Sequence, residues 1–321
     1  MKRNIINNKI AIIGLGYVGL PLALAFGKKF KTIGFDTNTR RINSLKKKLD
    51  TNNEVSKKEI ILSKKLNFTD NIYDLENIDV YIVCVPTPID NKNNPDLRNI
   101  KEASKIVGKF LSKNNIVIYE STVYPGLTEE ICVPILEKKS KLNSNIDFFY
   151  GYSPERINPG DNEKNLNNIN KIIAYEGKDK KVKKLLKNVY KRICKKLIFS
   201  NKIKEAETAK GIENIQRDLN IALFNEILII CKKLKLNFNE VIRLASTKWN
   251  FIKFSPGLVG GHCLPVDPYY LTYIANKGGY KSKVTLSGRD VNNFMKNYVI
   301  EFANSVIKKR KMSEDKVKIC I

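Results

Sequence analysis

Residues 9–26 read KIAIIGLGYVGLPLALAF, and this stretch decides the fold. An apolar run of strand character leads into Gly14, Gly16 and Gly19, which have the GxGxxG spacing, and an apolar helical pattern begins at the third glycine. A strand, a tight glycine turn and a helix in this order are typical of the first βα unit of a dinucleotide-binding sheet.

The rest of the dinucleotide fingerprint follows at the expected distance. Asp36 ends the next apolar run, 22 residues after Gly14 (36 − 14). The three glycines allow a tight turn, close approach of a pyrophosphate and close packing of helix on strand. A carboxylate at position 36 accepts hydrogen bonds from ribose hydroxyls and repels a 2′-phosphate, so we predict NAD rather than NADP. Tyr17 and Val18 lie in the same turn and belong to the predicted site; a βα turn without ligand is the alternative.

The rest of the chain continues this alternation and then changes character. Apolar runs at 9–14, 31–36, 80–85, 115–122, 147–153, 171–177 and 195–200 alternate with helical patterns. The fold class predicted is α/β, a Rossmann-type doubly wound and mainly parallel sheet followed by a long-helix all-α domain. We assign residues 1–202 to the NAD-binding domain, 203–312 to a helical central and dimerisation domain with one long helix at 203–236, and 313–321 to the first strand of a truncated third domain.

Composition limits the other functional classes. The formal net charge is +26, but the lysines are scattered and form no basic run with stacking aromatic residues, so no nucleic-acid partner is predicted. The six cysteines show no CxxC pair and the chain has one histidine, so no metal site is predicted. Glycines and a proline interrupt the first apolar run and no signal-peptidase motif follows it, which predicts a cytoplasmic protein without membrane insertion.

The only histidine precedes a cysteine in a glycine-rich segment. Residues 257–271 read GLVGGHCLPVDPYYL, and Gly257 and Gly260 allow the backbone near Cys263 to approach a ligand. For an isolated cysteine, buried packing is the commoner role. The glycines favour a functional thiol here, and the choice between packing, ligation and nucleophilic attack depends on the rest of the chain.

Polar residues in two other segments are candidates for the same site. Lys210, Asn214 and Arg217 follow one face of the predicted long helix, where a solvated stripe is the alternative. Glu155 and Arg156 follow a predicted strand in SPERINPGD, as Ser121 and Thr122 do in YESTVYPG. Open α/β sheets bind ligands beyond the carboxyl ends of their strands.

Taken together, these motifs resemble one enzyme family. GLGYVGLP, VPTP, YESTVYPG, SPERINPGD, ETAKGIENIQRDLNIALFNE, TKWNF and PGLVGGHCLPVDPYYL are similar, in this order, to segments of the UDP-glucose/GDP-mannose dehydrogenase family, and most of all to UDP-N-acetylhexosamine 6-dehydrogenases. The resemblance implies NAD-dependent oxidation of the C6 alcohol of a UDP-sugar to a uronate, for surface polysaccharide biosynthesis. It also implies a homodimer formed through the long helix.

The resemblance assigns a role to each candidate residue. Cys263 matches the nucleophile that forms a thiohemiacetal and then a thioester. Lys210 and Asn214 match the groups that stabilise the oxyanion, and Glu155 matches the glutamate of thioester hydrolysis. The remaining matches are Asp267 for proton transfer, Thr122 near the nicotinamide, Arg41 and Thr87 as contacts to NAD, and Glu155, Arg156, Lys210, Asn214, Arg217, Gly257 and Gly260 as contacts to substrate.

Two alternatives stay open at this point. A β-hydroxyacid-type dehydrogenase also pairs a nucleotide-binding domain with long helices, and it predicts no essential thiol. The second alternative is a truncated, catalytically silent chain, because relatives continue past KVKICI (316–321) with a third domain that carries much of the UDP site. On that basis we expect NAD binding with weak or absent sugar oxidation by this chain alone.

Overall fold

The computed structural model describes residues 9–156, 170–261 and 263–310. The chain divides into two compact units, residues 1–211 and 212–321. This division falls inside a long helix, whereas the sequence places the domain boundary at residue 202, and that boundary stays a prediction. The predicted strand at 313–321 lies outside the described residues.

The first unit contains an eight-stranded sheet with the order β3-β2-β1-β4-β5-β6-β7-β8. All neighbouring strands are parallel except β6 and β7, which pair antiparallel through Tyr152 and Ala174. The Rossmann-type, mainly parallel sheet is therefore confirmed. The strands are β1 (Ile10–Ile13), β2 (Thr32–Phe35), β3 (Leu66–Thr69), β4 (Val80–Val83), β5 (Ile116–Tyr119), β6 (Phe149–Tyr152), β7 (Asn170–Ala174) and β8 (Lys196–Ser200).

Helices accompany the strands of this sheet in the alternation that the sequence predicts. The four residues of β1, β4, β5 and β6 are all buried, which explains their continuous apolar character. The helices are α1 (Gly19–Gly27), α2 (Thr39–Lys46), α3 (Lys57–Leu62), α4 (Arg98–Phe110), α5 (Val133–Ser140) and α6 (Lys180–Tyr190), with a 3₁₀ turn at Ile72–Leu75 and a π-helical turn at Thr128–Cys132.

The sequence analysis missed two elements, β3 and α3. The strand β3 lies at the edge of the sheet, and three of its four residues are partly or fully exposed, so its sequence LNFT has no continuous apolar run. The helix α3 has only six residues, too few for a helical period to be recognised. Its N-terminus carries a capping box formed by Ser56 and Glu59.

The second unit is helical. The predicted helix at 203–236 is confirmed as α7 (Ile203–Lys233), which runs through the division at residue 211. Asn237 caps the next helix, as the sequence indicates, because its side-chain oxygen accepts hydrogen bonds from the backbone N–H groups of Asn239 and Glu240. The remaining helices are α8 (Phe238–Ala245), α9 (Asp267–Lys277) and α10 (Lys283–Lys309).

A buried polar cluster ties α7 to α10. Arg289 Nη1 lies 2.6 Å from Asp218 Oδ1, and both side chains are almost fully buried. Asn292 Nδ2 donates to the backbone oxygen of Asp218 at 2.9 Å and to its Oδ1 at 2.8 Å. Loss of either charged partner would leave an uncompensated charge in the interior, so this cluster fixes the pairing of the two helices.

No helix among the described residues is long and apolar enough to cross a membrane.

Replacement of Gly211 by alanine is expected to raise the free energy of unfolding by about 1 kcal/mol, the cost of glycine inside a helix. A Cβ atom at position 211 would have no other atom within 4 Å, so the substitution adds no clash. Urea denaturation measures the change. Gly108→Ala in α4 is the matched control, because its Cβ would lie 2.8 Å from Lys139 Cβ. We expect that variant to be destabilised; a Gly211→Ala protein no more stable than wild type would contradict the prediction.

Candidate active site

The turn between β1 and α1 has the geometry of a pyrophosphate site. Gly14 has φ of +94°, and a Cβ at Gly19 would lie 1.8 Å from the carbonyl oxygen of Gly14. A Cβ at Gly16 would have no atom within 4 Å, so space is open on the side where the backbone faces solvent. Val18 gives no side-chain cap to α1, and Leu20 N donates to the carbonyl oxygen of Gly16 at 3.1 Å. The helix N-terminus still places its positive dipole at the turn, which favours an anion there.

Asp36 stands at the end of β2 beside this turn. Its Oδ2 accepts a hydrogen bond from Leu15 N at 2.8 Å, and its Oδ1 accepts one from Asn38 N at 2.9 Å. The two bonds hold the carboxylate at the rim of a cavity of about 300 Å³ that Gly16 also lines. A fixed acceptor next to the phosphate-binding turn fits the ribose of a dinucleotide.

Arg41, predicted to contact NAD, forms one wall of the same cavity. Its Nε donates to the carbonyl of Leu15 at 3.1 Å, and its Nη1 lies 2.5 Å from Asp50 Oδ1. Burial would raise the pKa of Asp50, but the guanidinium and three backbone N–H groups outweigh burial and hold that pKa below its usual value. Arg41 Nη2 is buried and has no hydrogen-bond partner within the described part of the chain.

The loops after β4 and β5 bring Thr87 and Thr122 together. Thr87 Oγ1 donates to the carbonyl oxygen of Thr122 at 2.6 Å. Ser121 Oγ donates to the carbonyl oxygen of Val85 at 2.7 Å and joins the same two loops. Both predicted cofactor contacts therefore lie at the carboxyl edge of the sheet, on the two strands that follow β1 in spatial order.

Glu155 and Arg156 lie just after β6 at the same edge. Glu155 is 7% exposed, and its Oε1 accepts a hydrogen bond from Arg156 N at 2.6 Å. Its Oε2 lies 3.4 Å from the ammonium nitrogen of Lys171, a residue that the sequence analysis did not select. Arg156 Nη1 donates to the carbonyl of Asn170 at 3.1 Å. The strand pattern KIIAYEG contains this lysine but gives no sign of its partners.

The predicted polar stripe on α7 is buried in part. Lys210, in the first unit, is 8% exposed, and Asn214, in the second, is 7% exposed. Arg217 is exposed to solvent. The alternative of a uniformly solvated stripe is therefore wrong for the first two residues.

In the second unit, Asn214 and Asp267 meet. Asn214 Nδ2 donates to Asp267 Oδ2, and Asp267 is 2% exposed at the first residue of α9. The carbonyl oxygen of Cys263 accepts hydrogen bonds from Val266 N at 3.0 Å and Asp267 N at 2.8 Å. The cysteine is thus fixed one turn before the carboxylate that the sequence analysis paired with it.

Cys263 is exposed, whereas Cys84, Cys132, Cys194 and Cys231 are buried. Gly257 and Gly260 are exposed too, and a Cβ at either would have no atom within 4 Å. This open surface fits the expectation of close backbone approach to a ligand. His262 lies outside the described residues.

A further residue that sequence reasoning missed anchors the start of this segment. Asn225 on α7 donates from Nδ2 to the carbonyl oxygen of Gly257 at 3.0 Å and accepts from Gly257 N at 2.8 Å. Its Nδ2 also lies 2.9 Å from Asn292 Oδ1, so the cysteine segment is joined to the polar cluster between α7 and α10. An asparagine in an apolar helical run was the one available signal.

Within the described ranges, no three His, Cys, Asp or Glu side chains form a group that could hold a metal ion.

Comparison with protein families agrees with this geometry. Residues 8–194 match the NAD binding domain of the UDP-glucose/GDP-mannose dehydrogenase family. Residues 204–294 match the central domain of the same family.

Individual relatives cover nearly the whole chain. The UDP-N-acetyl-D-glucosamine 6-dehydrogenase of Pseudomonas aeruginosa is 48% identical over 314 residues, 98% of this chain and 74% of the relative. The enzyme of that name from Salmonella typhi is 50% identical over 303 residues, 94% of this chain and 71% of the relative. The solved structure of a UDP-D-ManNAc dehydrogenase from Pyrococcus horikoshii superposes with a TM-score of 0.85 at 32% identity, covering 95% of this chain and 72% of that one.

The chain is expected to bind NAD at least about tenfold more tightly than NADP, because Asp36 repels a 2′-phosphate by about 1.4 kcal/mol or more. Asp36→Asn keeps the size of the side chain and removes its charge. It should therefore reduce the difference between the dissociation constants for NAD and NADP. Titration of both cofactors by calorimetry measures the two dissociation constants. Asp70→Asn is the control, since Asp70 directly follows β3 as Asp36 follows β2. Equal or tighter binding of NADP by the wild-type chain would refute the assignment.

Proposed function

Because the chain belongs to the UDP-glucose/GDP-mannose dehydrogenase family, we propose that it oxidises the C6 alcohol of a UDP-N-acetylhexosamine to the uronate, with NAD as the cofactor. The observation that carries the proposal is the exposed Cys263, fixed beside Asp267 and Asn214 in a segment of open glycines. The names of the relatives support the substrate class, and the NAD-binding geometry of the first unit supports the redox chemistry.

The first oxidation removes a proton and a hydride from the C6 alcohol and leaves an aldehyde. NAD, when bound, accepts one hydride in each of the two oxidations. The Gly14–Gly19 turn and Asp36 hold the phosphates and ribose of the dinucleotide. Lys210 and Asn214 stabilise the negative charge that develops on the sugar oxygen, through an ammonium and an amide donor.

Cys263 carries the second oxidation. Its sulfur attacks the aldehyde carbon and forms a thiohemiacetal, which loses a hydride and becomes a thioester. Asp267 accepts an amide hydrogen bond from Asn214, so the position of both side chains is defined. Asp267 takes up or returns the proton in these steps. The covalent link retains the aldehyde until it is fully oxidised.

Hydrolysis of the thioester ends the cycle. Water attacks the acyl carbon, Glu155 takes the proton of that water, and the sulfur of Cys263 leaves and is protonated again. The products are the UDP-uronate and the starting enzyme, with two molecules of NAD reduced for each sugar. Arg156, Arg217, Gly257 and Gly260 contact the substrate in this proposal.

The competing assignments differ in one feature, the thiol. A β-hydroxyacid-type enzyme would need no cysteine, and the match of both domains to the nucleotide-sugar family argues against it. A catalytically silent chain remains the second candidate, and it would bind NAD without making uronate.

We also propose that the active form is a homodimer through α7. Leu223 and Ile230 on this helix are 50% and 49% exposed, and Leu234 is 63% exposed. Ile212 extends the stripe at helical spacing and is 52% exposed, while Ile215 is buried within its own chain. An apolar stripe of this length on a monomer is typical of a surface that pairs. Trp249, 91% exposed, and Ile252 add to the apolar surface of the second unit.

The cellular role is part of the proposal. UDP-uronates supply acidic sugars, and we assign the product to surface polysaccharide biosynthesis and the enzyme to the cytoplasm. Deletion of the gene, followed by sugar analysis of the cell surface, tests the first assignment. A deletion strain whose surface keeps all of its acidic sugars would contradict the assignment to surface polysaccharide biosynthesis.

Cys263→Ala is expected to abolish uronate formation and to leave NAD binding unchanged, because the cofactor turn lies in the other unit. Mass spectrometry of the products measures uronate with each UDP-N-acetylhexosamine. Cys231→Ala, a buried cysteine of α7, is the matched control and should keep the wild-type product. Uronate formation by Cys263→Ala at the wild-type rate would refute the nucleophile.

The double variant Leu223→Lys/Ile230→Lys is expected to be monomeric at micromolar concentration, since it places charges in the apolar stripe. Sedimentation velocity measures the oligomeric state, and the wild-type chain should sediment as a dimer. Ile61→Lys, on α3 and 45% exposed, controls for an added surface charge and should leave the dimer intact. A wild-type chain that sediments only as a monomer would contradict the proposed interface.

A further inference from the structure

A buried ionic cluster lies behind Glu155. It consists of Glu120, Glu155, Lys171 and Tyr190. Lys171 is fully buried, and its Nζ lies 2.5 Å from Glu120 Oε2 and 3.4 Å from Glu155 Oε2. Tyr190 donates from its hydroxyl to Glu120 Oε1 at 2.6 Å. The carbonyl oxygen of Pro154 accepts a further hydrogen bond from Lys171 at 3.3 Å.

The reversal of strand direction at β7 places Lys171 in this cluster. The strand β7 runs antiparallel to β6, with Tyr152 opposite Ala174 at the carboxyl ends of both strands. The first residues of β7 therefore lie beside the chain that follows β6. Ser153 Oγ donates to the carbonyl oxygen of Ile172 at 2.7 Å and marks this alignment. A parallel β7 would have placed its first residues at the opposite edge of the sheet.

The surroundings of Lys171 and Tyr190 determine their protonation states. Burial would lower the pKa of Lys171, but the two carboxylates outweigh burial and raise that pKa, so the side chain stays an ammonium. Burial, followed by the nearby Glu120, raises the pKa of Tyr190 well above its usual value, so its hydroxyl remains a donor. One ammonium therefore faces two carboxyl groups, those of Glu120 and Glu155.

Glu120 and Glu155 differ in their contacts and in their exposure to solvent. The side chain of Glu120 is fully buried and has both oxygens engaged, by Lys171 and by Tyr190. The side chain of Glu155 is 8% exposed and stands at the carboxyl edge, where water can reach it. Glu120 compensates the ammonium at 2.5 Å, and Glu155 takes a longer contact to the same ammonium.

We propose that Lys171, held in place by Glu120 and Tyr190, is a positioning residue that keeps the Glu155 carboxyl group oriented for the hydrolysis of the thioester. The inference rests on the proposed function, because it assigns Lys171 to one step of that reaction. Without the ammonium, Glu155 Oε2 loses its 3.4 Å contact to Lys171, and the carboxyl group is no longer held where it can accept the proton of the attacking water.

The same argument separates this role from simple structural support. A lysine that only stabilised the fold would affect all steps equally, through the amount of folded protein. A lysine that acts through Glu155 affects one step, the release of the acyl group from Cys263. The two oxidations before that step would continue, so each active site would form two reduced cofactors and then stop with the thioester intact.

The test is a charge-matched double variant, Lys171→Met/Glu120→Gln. Loss of lysine alone would bury uncompensated carboxylates and could unfold the chain, whereas this pair removes the ammonium and one carboxylate together. The Glu155 side chain remains, without the ammonium of Lys171. Lys171→Arg keeps the positive charge, and Lys196→Met removes an exposed lysine from the neighbouring strand β8.

Each variant is mixed rapidly with NAD and one of three substrates, UDP-N-acetylglucosamine, UDP-N-acetylgalactosamine or UDP-N-acetylmannosamine. Absorbance measures the reduced cofactor, and mass spectrometry of the quenched protein measures acylation of Cys263. We expect the double variant to produce a burst of two reduced cofactors per site, to accumulate acylated Cys263, and to turn over about 10²-fold more slowly than wild type, the lower range of a lost general base. Lys171→Arg should recover most of the steady-state rate, and Lys196→Met should match wild type.

Failure of the role of Lys171 and failure of the proposed function give different results. A wild-type chain that reduces no NAD with any of the three sugars overturns the proposed function. A wild-type chain that turns over, together with a folded double variant that shows neither burst nor acylated Cys263, overturns the role of Lys171 alone. Accumulation of acylated Cys263 in the Lys196→Met control would also overturn it, since the effect would then not depend on the buried ammonium.

Discussion

The turn between β1 and α1 can close only around glycine, because a Cβ at Gly19 would lie 1.8 Å from the carbonyl oxygen of Gly14. This contact brings the N-terminus of α1 onto the carboxyl end of β1. The parallel register of β1 to β6 then sends every following loop to the same edge. Asp36, Thr122 and Glu155 follow three different strands and lie at that edge. The parallel register of the sheet places them there, whatever the sequence of their own loops.

The two units use different groups, the first mainly backbone and the second mainly side chains. The first uses backbone: an open glycine, the N-terminus of a helix and a carboxylate fixed by two N–H bonds suit a dinucleotide that many proteins must bind. The second uses side chains that lock one another, with Asn225 and Asn292 holding the start of the cysteine segment. An exposed segment needs such an anchor to hold its cysteine in one position, because loops are less rigid than the elements that carry them.

Sequence alone predicted what local patterns encode. Seven of the eight strands, the long helix, the cap at Asn237 and the glycine turn each have a signal within about ten neighbouring residues. The edge strand β3 and the short helix α3 lacked such a signal. The strand β3 is partly exposed and so has no continuous apolar run, and α3 is too short to show a helical period. Lys171 could not be selected either. Its partner Glu120 is 51 residues away, and only the antiparallel turn of β7 brings them together.

The chain contains a single tryptophan, Trp249, in the second unit and almost fully exposed. The first unit, with the dinucleotide turn, therefore has no indole chromophore. Ultraviolet emission from this protein reports on one unit only, while the reduced nicotinamide has its own emission at longer wavelength. Emission from Trp249 and emission from a bound reduced nicotinamide can thus be recorded separately, at two wavelengths, without attaching a label.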